Sequence, residues 1–158
     1  MRKIYLDSCV FVAFLDCTDI NHSKVKTFIQ KNRDRMDVIF FASSWTLTET
    51  LKVLLVSKNW NVDKVFETSE NLLRIKRLGD LKFNWLPAPE KNGYDLDDFF
   101  YEFQQKIFRH RIGTGDIMHI VLMESCKMDT ILTFNTEDFL KFKELTVIQP
   151  HNLSRYVF

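Results

Sequence analysis

The sequence predicts an α/β protein in which a central parallel sheet is covered by helices on both faces, an α/β/α sandwich. Two patterns carry this expectation. Short segments of β-branched and aromatic residues alternate along the chain with longer segments of helical periodicity. The strand segments are continuous apolar runs instead of alternating ones, as strands buried on both faces require. The length of 158 residues suits one domain, residues 1–158, built around one core.

Taken in order, residues 3–6 read as the first strand, and Asp7 or Ser8 caps a helix over the unbroken apolar run 9–15. Asn21 opens a second helix whose apolar stripe is Val25, Phe28 and Ile29. Residues 38–41 are β-branched and aromatic and form the second strand. Ser43 or Ser44 caps a helix reaching about Lys58, and residues 62–78 give the next. Residues 83–86 read as a strand, and 96–108 and 117–126 as helices. A strand at 130–134, a short helix at 137–142 and a last strand at 146–148 complete the pattern. Glycine and proline are absent from residues 1–78, then cluster as Gly79, Pro87, Pro89 and Gly93. This stretch is read as a loop inside the domain, because each half alone is too short for a comfortable core.

Composition excludes several classes. Lys and Arg number 22 against 21 Asp and Glu, a net charge of +1, so the chain does not grip nucleic acid by bulk charge. Cys9, Cys17 and Cys126 are an odd count without Cys-x-x-Cys spacing. That opposes a disulfide framework or structural zinc and favours a reducing compartment. No apolar run approaches the roughly 20 residues that span a bilayer. The expectation is a cytoplasmic protein without a membrane segment.

Four polar positions stand in apolar surroundings. Asp7 ends the first strand, where helix capping is already a sufficient reason for it. Glu49 shares a helix face with Trp45, Val53 and Val56, while Leu47, Leu51 and Leu54 line another. A helix apolar on two sides is mostly buried, so the Glu49 carboxylate needs a cation, a proton or a partner such as Lys or Arg. Asp116 lies in the first turn of a helix, where the dipole alone favours it, and shares its face with His119, which reads as a packed core histidine. Asn135 with Asp138 three residues later imitates a capping box after the strand at 130–134. In a parallel sheet such positions converge on the carboxyl edge. Carboxylates sharing a cavity repel unless a cation joins them, and oxygen donors select Mg²⁺ or Mn²⁺. Such an acidic pocket suits phosphodiester hydrolysis.

These elements, Ile4-Tyr5-Leu6-Asp7-Ser8, Thr48-Glu49, Gly115-Asp116-Ile117-Met118-His119 and residues 131–139, occur in an order that resembles the PIN-domain nucleases, particularly VapC-like toxins. The resemblance covers nearly the whole chain. It implies an α/β/α fold, usually dimeric, with Asp7, Glu49 and Asp116 as metal-binding acids. The family's fourth position, often Asp, falls at Asn135, with Asp138 as the nearby acid, and Ser8 and Thr133 match pocket hydroxyls. It further implies Mg²⁺- or Mn²⁺-dependent endoribonuclease activity by one-step hydrolysis, with 3′-hydroxyl and 5′-phosphate products. RNA is then the substrate and a small antitoxin the partner.

Other readings compete. A haloacid-dehalogenase-type phosphatase also ends its first strand in Asp, but needs a second acid where this chain has Cys9. An inactive PIN-like scaffold that binds RNA or protein is kept open by Asn135, as is an RNA-processing nuclease outside toxin–antitoxin pairs. Basic residues gather at Lys24, Lys26, Lys31, Arg33 and Arg35, at Arg74, Lys76 and Arg77, and at Lys106, Arg109, His110 and Arg111. The last group adjoins Asp116 and is the favoured phosphate-backbone contact. Phe103 and Phe108 beside it read as core.

Overall fold

The computed structural model describes residues 1–93 and 95–156. Its elements run β1 (Arg2–Leu6), α1 (Ser8–Leu15), α2 (His22–Asn32), β2 (Val38–Ala42), α3 (Ser44–Lys52), α4 (Val62–Ile75), β3 (Arg77–Leu78), β4 (Leu81–Lys82), β5 (Asn84–Trp85), α5 (Leu96–His110), α6 (Thr114–Ser125), β6 (Thr130–Leu132) and β7 (Thr146–Ile148). Five strands form one sheet in the order β5-β2-β1-β6-β7, and every pairing in it is parallel. The α/β/α expectation holds.

Strand parity builds the two outer layers. Ile4 and Leu6 of β1 face a core made with Val10 and Phe11 of α1, Phe28 of α2, Leu47 of α3 and Leu72 of α4. Tyr5, between them, faces the other way, into a core with Phe99 of α5, Ile117 and Ile120 of α6, and Ile131 of β6. This is why the strands are continuous apolar runs: both faces are covered.

The local signals act as anticipated at most helix starts. Asp7 caps α1, accepting from the Ser8 N–H. Ser43 and Thr46 exchange bonds in a capping box that starts α3. Asn21 occupies the cap of α2 without a side-chain bond.

Five expectations need correction. The helix foreseen over 62–78 stops at Ile75, because Lys76 turns left-handed (φ 53°) and its N–H closes on the Leu72 carbonyl. Residues 77–82 instead form the β3–β4 hairpin around Gly79, at φ 60°. Leu78 continues the helical spacing of Leu72 and Ile75, which misleads a periodicity reading. The hairpin buries Leu78 and Leu81 together in the first core, which a continued helix would not. After Lys52 the third helix widens into a π-helical stretch, Val53–Ser57, and Val56 is 65% exposed. That end of the helix is therefore less buried than two apolar faces suggested. The strand at 83–86 shortens to β5, and the helix at 137–142 to a 3-10 turn, Phe139–Lys141. No side chain caps that turn, so the Asn135–Asp138 capping box does not form.

Cys9, Cys17 and Cys126 are free thiols. Among the described residues no helix is long and apolar enough to cross a membrane.

Candidate active site

The chain leaves β1 toward β2 on one side, while β6 lies on its other side. The strand order therefore reverses beside β1, which makes the carboxyl end of β1 the switch point where such sheets bind ligands. Asp7 stands there, next to Thr133 at the end of β6. Asp7 is buried and its carboxylate accepts four hydrogen bonds. Oδ1 takes the Ser8 N–H (2.6 Å) and hydroxyl (3.2 Å), and Oδ2 takes the Thr133 hydroxyl (2.6 Å) and the Cys9 thiol (3.0 Å). Capping α1 and standing at the switch point are thus one arrangement. Burial, and then the field of Asp7, push the Cys9 thiol well above its ordinary value, so it stays a neutral donor.

Glu49, on α3, joins the same group. Its Oε2 accepts from His119 Nε2 (2.7 Å) and from the Ser8 hydroxyl (3.1 Å). Burial would raise its carboxyl, but His119 first, then Ser8 and Trp45, outweigh that and hold it below its usual value. The partner of this half-buried acid is a histidine rather than a Lys or Arg. Gly115, at the start of α6, makes the approach possible: a Cβ there would overlap Glu49 Oε1.

His119 is fully buried, yet it is not a histidine packed among apolar atoms alone. Nε2 lies 3.4 Å from Asp7 Oδ1 as well as against Glu49. Nδ1 lies 2.7 Å from the Tyr5 hydroxyl. Tyr5 continues the chain to Ser43 Oγ (2.6 Å) and Thr46 Oγ1 (2.8 Å). Burial pushes the Tyr5 phenol up, so it remains a hydroxyl. The signal that would have found this pair is strand parity: Tyr5 alone of Ile4-Tyr5-Leu6 points to the α6 side, and carries a hydroxyl into a buried layer.

Asp116, half-buried in the first turn of α6, has its carboxyl pushed up to about 6 by burial and then by the charges of Asp7, Asp138 and Glu49. Folding therefore binds this proton more tightly than the unfolded chain does. Asp116 thus weakens the fold as pH rises through the window from the ordinary aspartate value of about 4 to about 6. In EDTA, Asp116→Asn is expected to melt above wild type at pH 7, with the gap closing toward pH 4. A gap in Tm that does not change with pH would contradict this account.

One donor atom each from Asp7, Glu49 and His119 lie within 4.8 Å of one another. Asp116 borders this group and is coupled to it electrostatically. Of the two candidates for the fourth position, Asn135 is exposed and gives its backbone N–H to Thr133 Oγ1 (2.9 Å). Asp138 is half-buried, paired with Lys141, and near enough to raise Asp116. In the basic group before α6, Lys106 is bound to Glu124 (2.9 Å) and His110 stacks on Phe142 with ring centroids 4.2 Å apart. Arg109 and Arg111 are exposed. Phe108 is 74% exposed, not core as its sequence suggested.

A wholly parallel sheet between two helical layers, with acids and a histidine gathered at its switch point, defines an α/β/α protein with an acidic group on the carboxyl edge of its sheet. The sequence profile of the PIN domain matches residues 4–145, and the chain belongs to that family, whose members are generally nucleases. A search of curated protein sequences gave no match. Among solved structures the fold is similar to VapBC-1 of nontypeable Haemophilus influenzae, at 14% identity and a TM-score of 0.62, covering 94% of this chain and 98% of that one. It is similar to VapC20 of Mycobacterium tuberculosis, a sarcin-ricin loop cleaving toxin, at 13% identity and a TM-score of 0.61, covering 87% and 94%. FitAcB of Neisseria gonorrhoeae is 17% identical with a TM-score of 0.59, covering 93% and 97%.

Proposed function

We propose that this chain is a Mg²⁺- or Mn²⁺-dependent endoribonuclease and the toxin of a toxin–antitoxin pair. The observation that carries the reading is the gathering of acids at the switch point: donor atoms of Asp7 and Glu49 lie with that of His119 within 4.8 Å of one another, and beside them burial, then the charges of Asp7, Asp138 and Glu49, lift Asp116 to about 6. Carboxylates held in such proximity fit a hard divalent cation, which relieves their repulsion. Asp7, Glu49 and Asp116 would hold it, with Asn135 or Asp138 completing the set. Such an ion supplies activation of water and charge neutralisation at the scissile phosphate.

The protein's own part is positional. Ser8, Thr133 and Cys9 lock the Asp7 carboxylate, and His119 and Ser8 aim Glu49. The acids are thereby set before substrate arrives, and little reorganisation is needed in the reaction. Exposed Arg109 and Arg111, just before Asp116 in the chain, suit contacts to the phosphates of an RNA strand. The toxin reading is supported by the likeness of fold to VapBC-1, VapC20 and FitAcB. It brings with it a small antitoxin as partner, a homodimer and a cytoplasmic site of action.

The test is cleavage of a defined RNA pool by the purified chain. Cleavage with Mg²⁺ or Mn²⁺, lost in EDTA and restored by excess metal, is the expected result, with 5′-phosphate on the products. Cleavage indifferent to EDTA would remove the metal from the reading. Absence of both cleavage and Mn²⁺ binding at millimolar concentration would leave a non-catalytic scaffold.

A further inference from the structure

We propose that His119 is itself a metal ligand, so that the ion held by Asp7 and Glu49 sits in a mixed nitrogen–oxygen site that prefers Mn²⁺ to Mg²⁺. This rests on the metal-dependent reading above. Three observations on different atoms carry it.

The first is spacing. Ligand atoms at about 2.1 Å from one ion and at right angles to each other lie about 3 Å apart. His119 Nε2 is 2.7 Å from Glu49 Oε2 and 3.4 Å from Asp7 Oδ1, which brackets that separation on both sides. The second is orientation. A ligating histidine needs its other nitrogen fixed by a hydrogen-bond partner. Nδ1 has the Tyr5 hydroxyl at 2.7 Å, and the Tyr5 ring meets the imidazole edge-on, with centroids 5.5 Å apart. The imidazole therefore has little freedom to swing away from the two acids.

The third is the reversibility of the chain behind it. With Nε2–H donating to Glu49, a neutral ring accepts at Nδ1 from Tyr5. Ligation through Nε2 requires the other tautomer, with Nδ1–H donating to Tyr5. The Tyr5 hydroxyl then donates onward to Ser43 Oγ (2.6 Å) or Thr46 Oγ1 (2.8 Å), and Thr46 donates to the Leu6 carbonyl (3.3 Å). Each link is a hydroxyl that donates or accepts equally well, so the Tyr5 side of the ring serves either tautomer without moving a heavy atom, and Nε2 without its proton needs a cation between it and Glu49 Oε2. A purely structural bond from His119 to Glu49 would need no such relay.

The consequence is selectivity. Carboxylates alone suit Mg²⁺, whereas an imidazole shifts a site toward first-row transition ions. Mn²⁺ is therefore expected to bind at least about tenfold more tightly than Mg²⁺. His119→Ala should remove most of that difference. Tyr5→Phe, which keeps the ring but loses the orienting hydroxyl, should weaken Mn²⁺ binding by about 10- to 100-fold.

The deciding experiment is pulsed EPR of the Mn²⁺-loaded full chain, compared with protein carrying ¹⁵N-histidine. A ¹⁴N coupling that converts to ¹⁵N on labelling, and that vanishes in His119→Ala, is the expected result. The chain has four histidines, so a variant with His22, His110 and His151 replaced by Gln keeps the assignment open to test if His119→Ala does not fold. Mn²⁺ bound without a histidine coupling would overturn the nitrogen ligand while sparing the metal-dependent nuclease. No Mn²⁺ binding at millimolar concentration would overturn both.

Discussion

Asp7→Asn is expected to lower metal-dependent RNA cleavage by on the order of 10³-fold or more, with a thermal midpoint within a few degrees of wild type. The substitution keeps size and shape and replaces a carboxylate oxygen by an amide. Asparagine caps helices as well as aspartate does, so its oxygen still accepts the Ser8 N–H that starts α1. The Thr133 hydroxyl, now a donor at 2.6 Å, is able to rotate and accept from the amide. What the variant lacks is the charge at the switch point, which shares Ser8 and His119 with Glu49 and leads the charges that raise Asp116. A cleavage assay with circular dichroism melting on the same preparation checks both halves. Wild-type cleavage by Asp7→Asn would remove this residue from the active site.

Phe11→Ala is expected to destabilise the fold by about 3–5 kcal/mol, a large part of the roughly 5–15 kcal/mol that holds a domain of ordinary size. Phe11 is wholly buried in the first core. Its ring meets Phe83 edge-on at 5.3 Å, and Phe83 meets Trp85 of β5 at 5.0 Å. Truncation opens a cavity between α1 and the edge strand, where a two-residue β5 has little hydrogen bonding of its own to keep it in place. Urea unfolding followed by fluorescence measures the loss. A change below about 1 kcal/mol would show that the neighbouring side chains collapse into the space.

The two variants separate the layers of information in the sequence. Phe11 belongs to an apolar run whose burial is plain from hydropathy, and the fold class follows from such runs because burying them on both faces of a sheet admits few architectures. Asp7, Glu49 and Asp116 were also legible, since each is a charged group placed where the chain is otherwise apolar. Their local explanations, a cap and a first-turn acid, are true as well. The structure keeps those local positions for Asp7 and Asp116 and brings Asp7 and Glu49 to one buried histidine.

The failures have physical causes. The hairpin at 77–82 was hidden because Leu78 fits helical spacing, and only the first core's need for both Leu78 and Leu81 selects the turn. Phe108 reads as core on hydrophobicity alone, although it faces solvent on α5. His119 reads as a packed core histidine because nothing within its own helix shows what lies opposite. Its partners Tyr5 and Glu49 are 114 and 70 residues away in the chain.

By itself, then, the sequence determined the layered α/β/α architecture and the acids that gather at one edge of its sheet. Periodicity and the cost of burying charge are properties of short segments and need no knowledge of distant ones. Tertiary structure alone decided that a histidine stands between two of those acids, that a tyrosine orients it, and that the charge of Asp138 bears on Asp116. Those relations join β1, α3, α6 and the turn after β6. They depend on which strands lie side by side, and no local pattern encodes that.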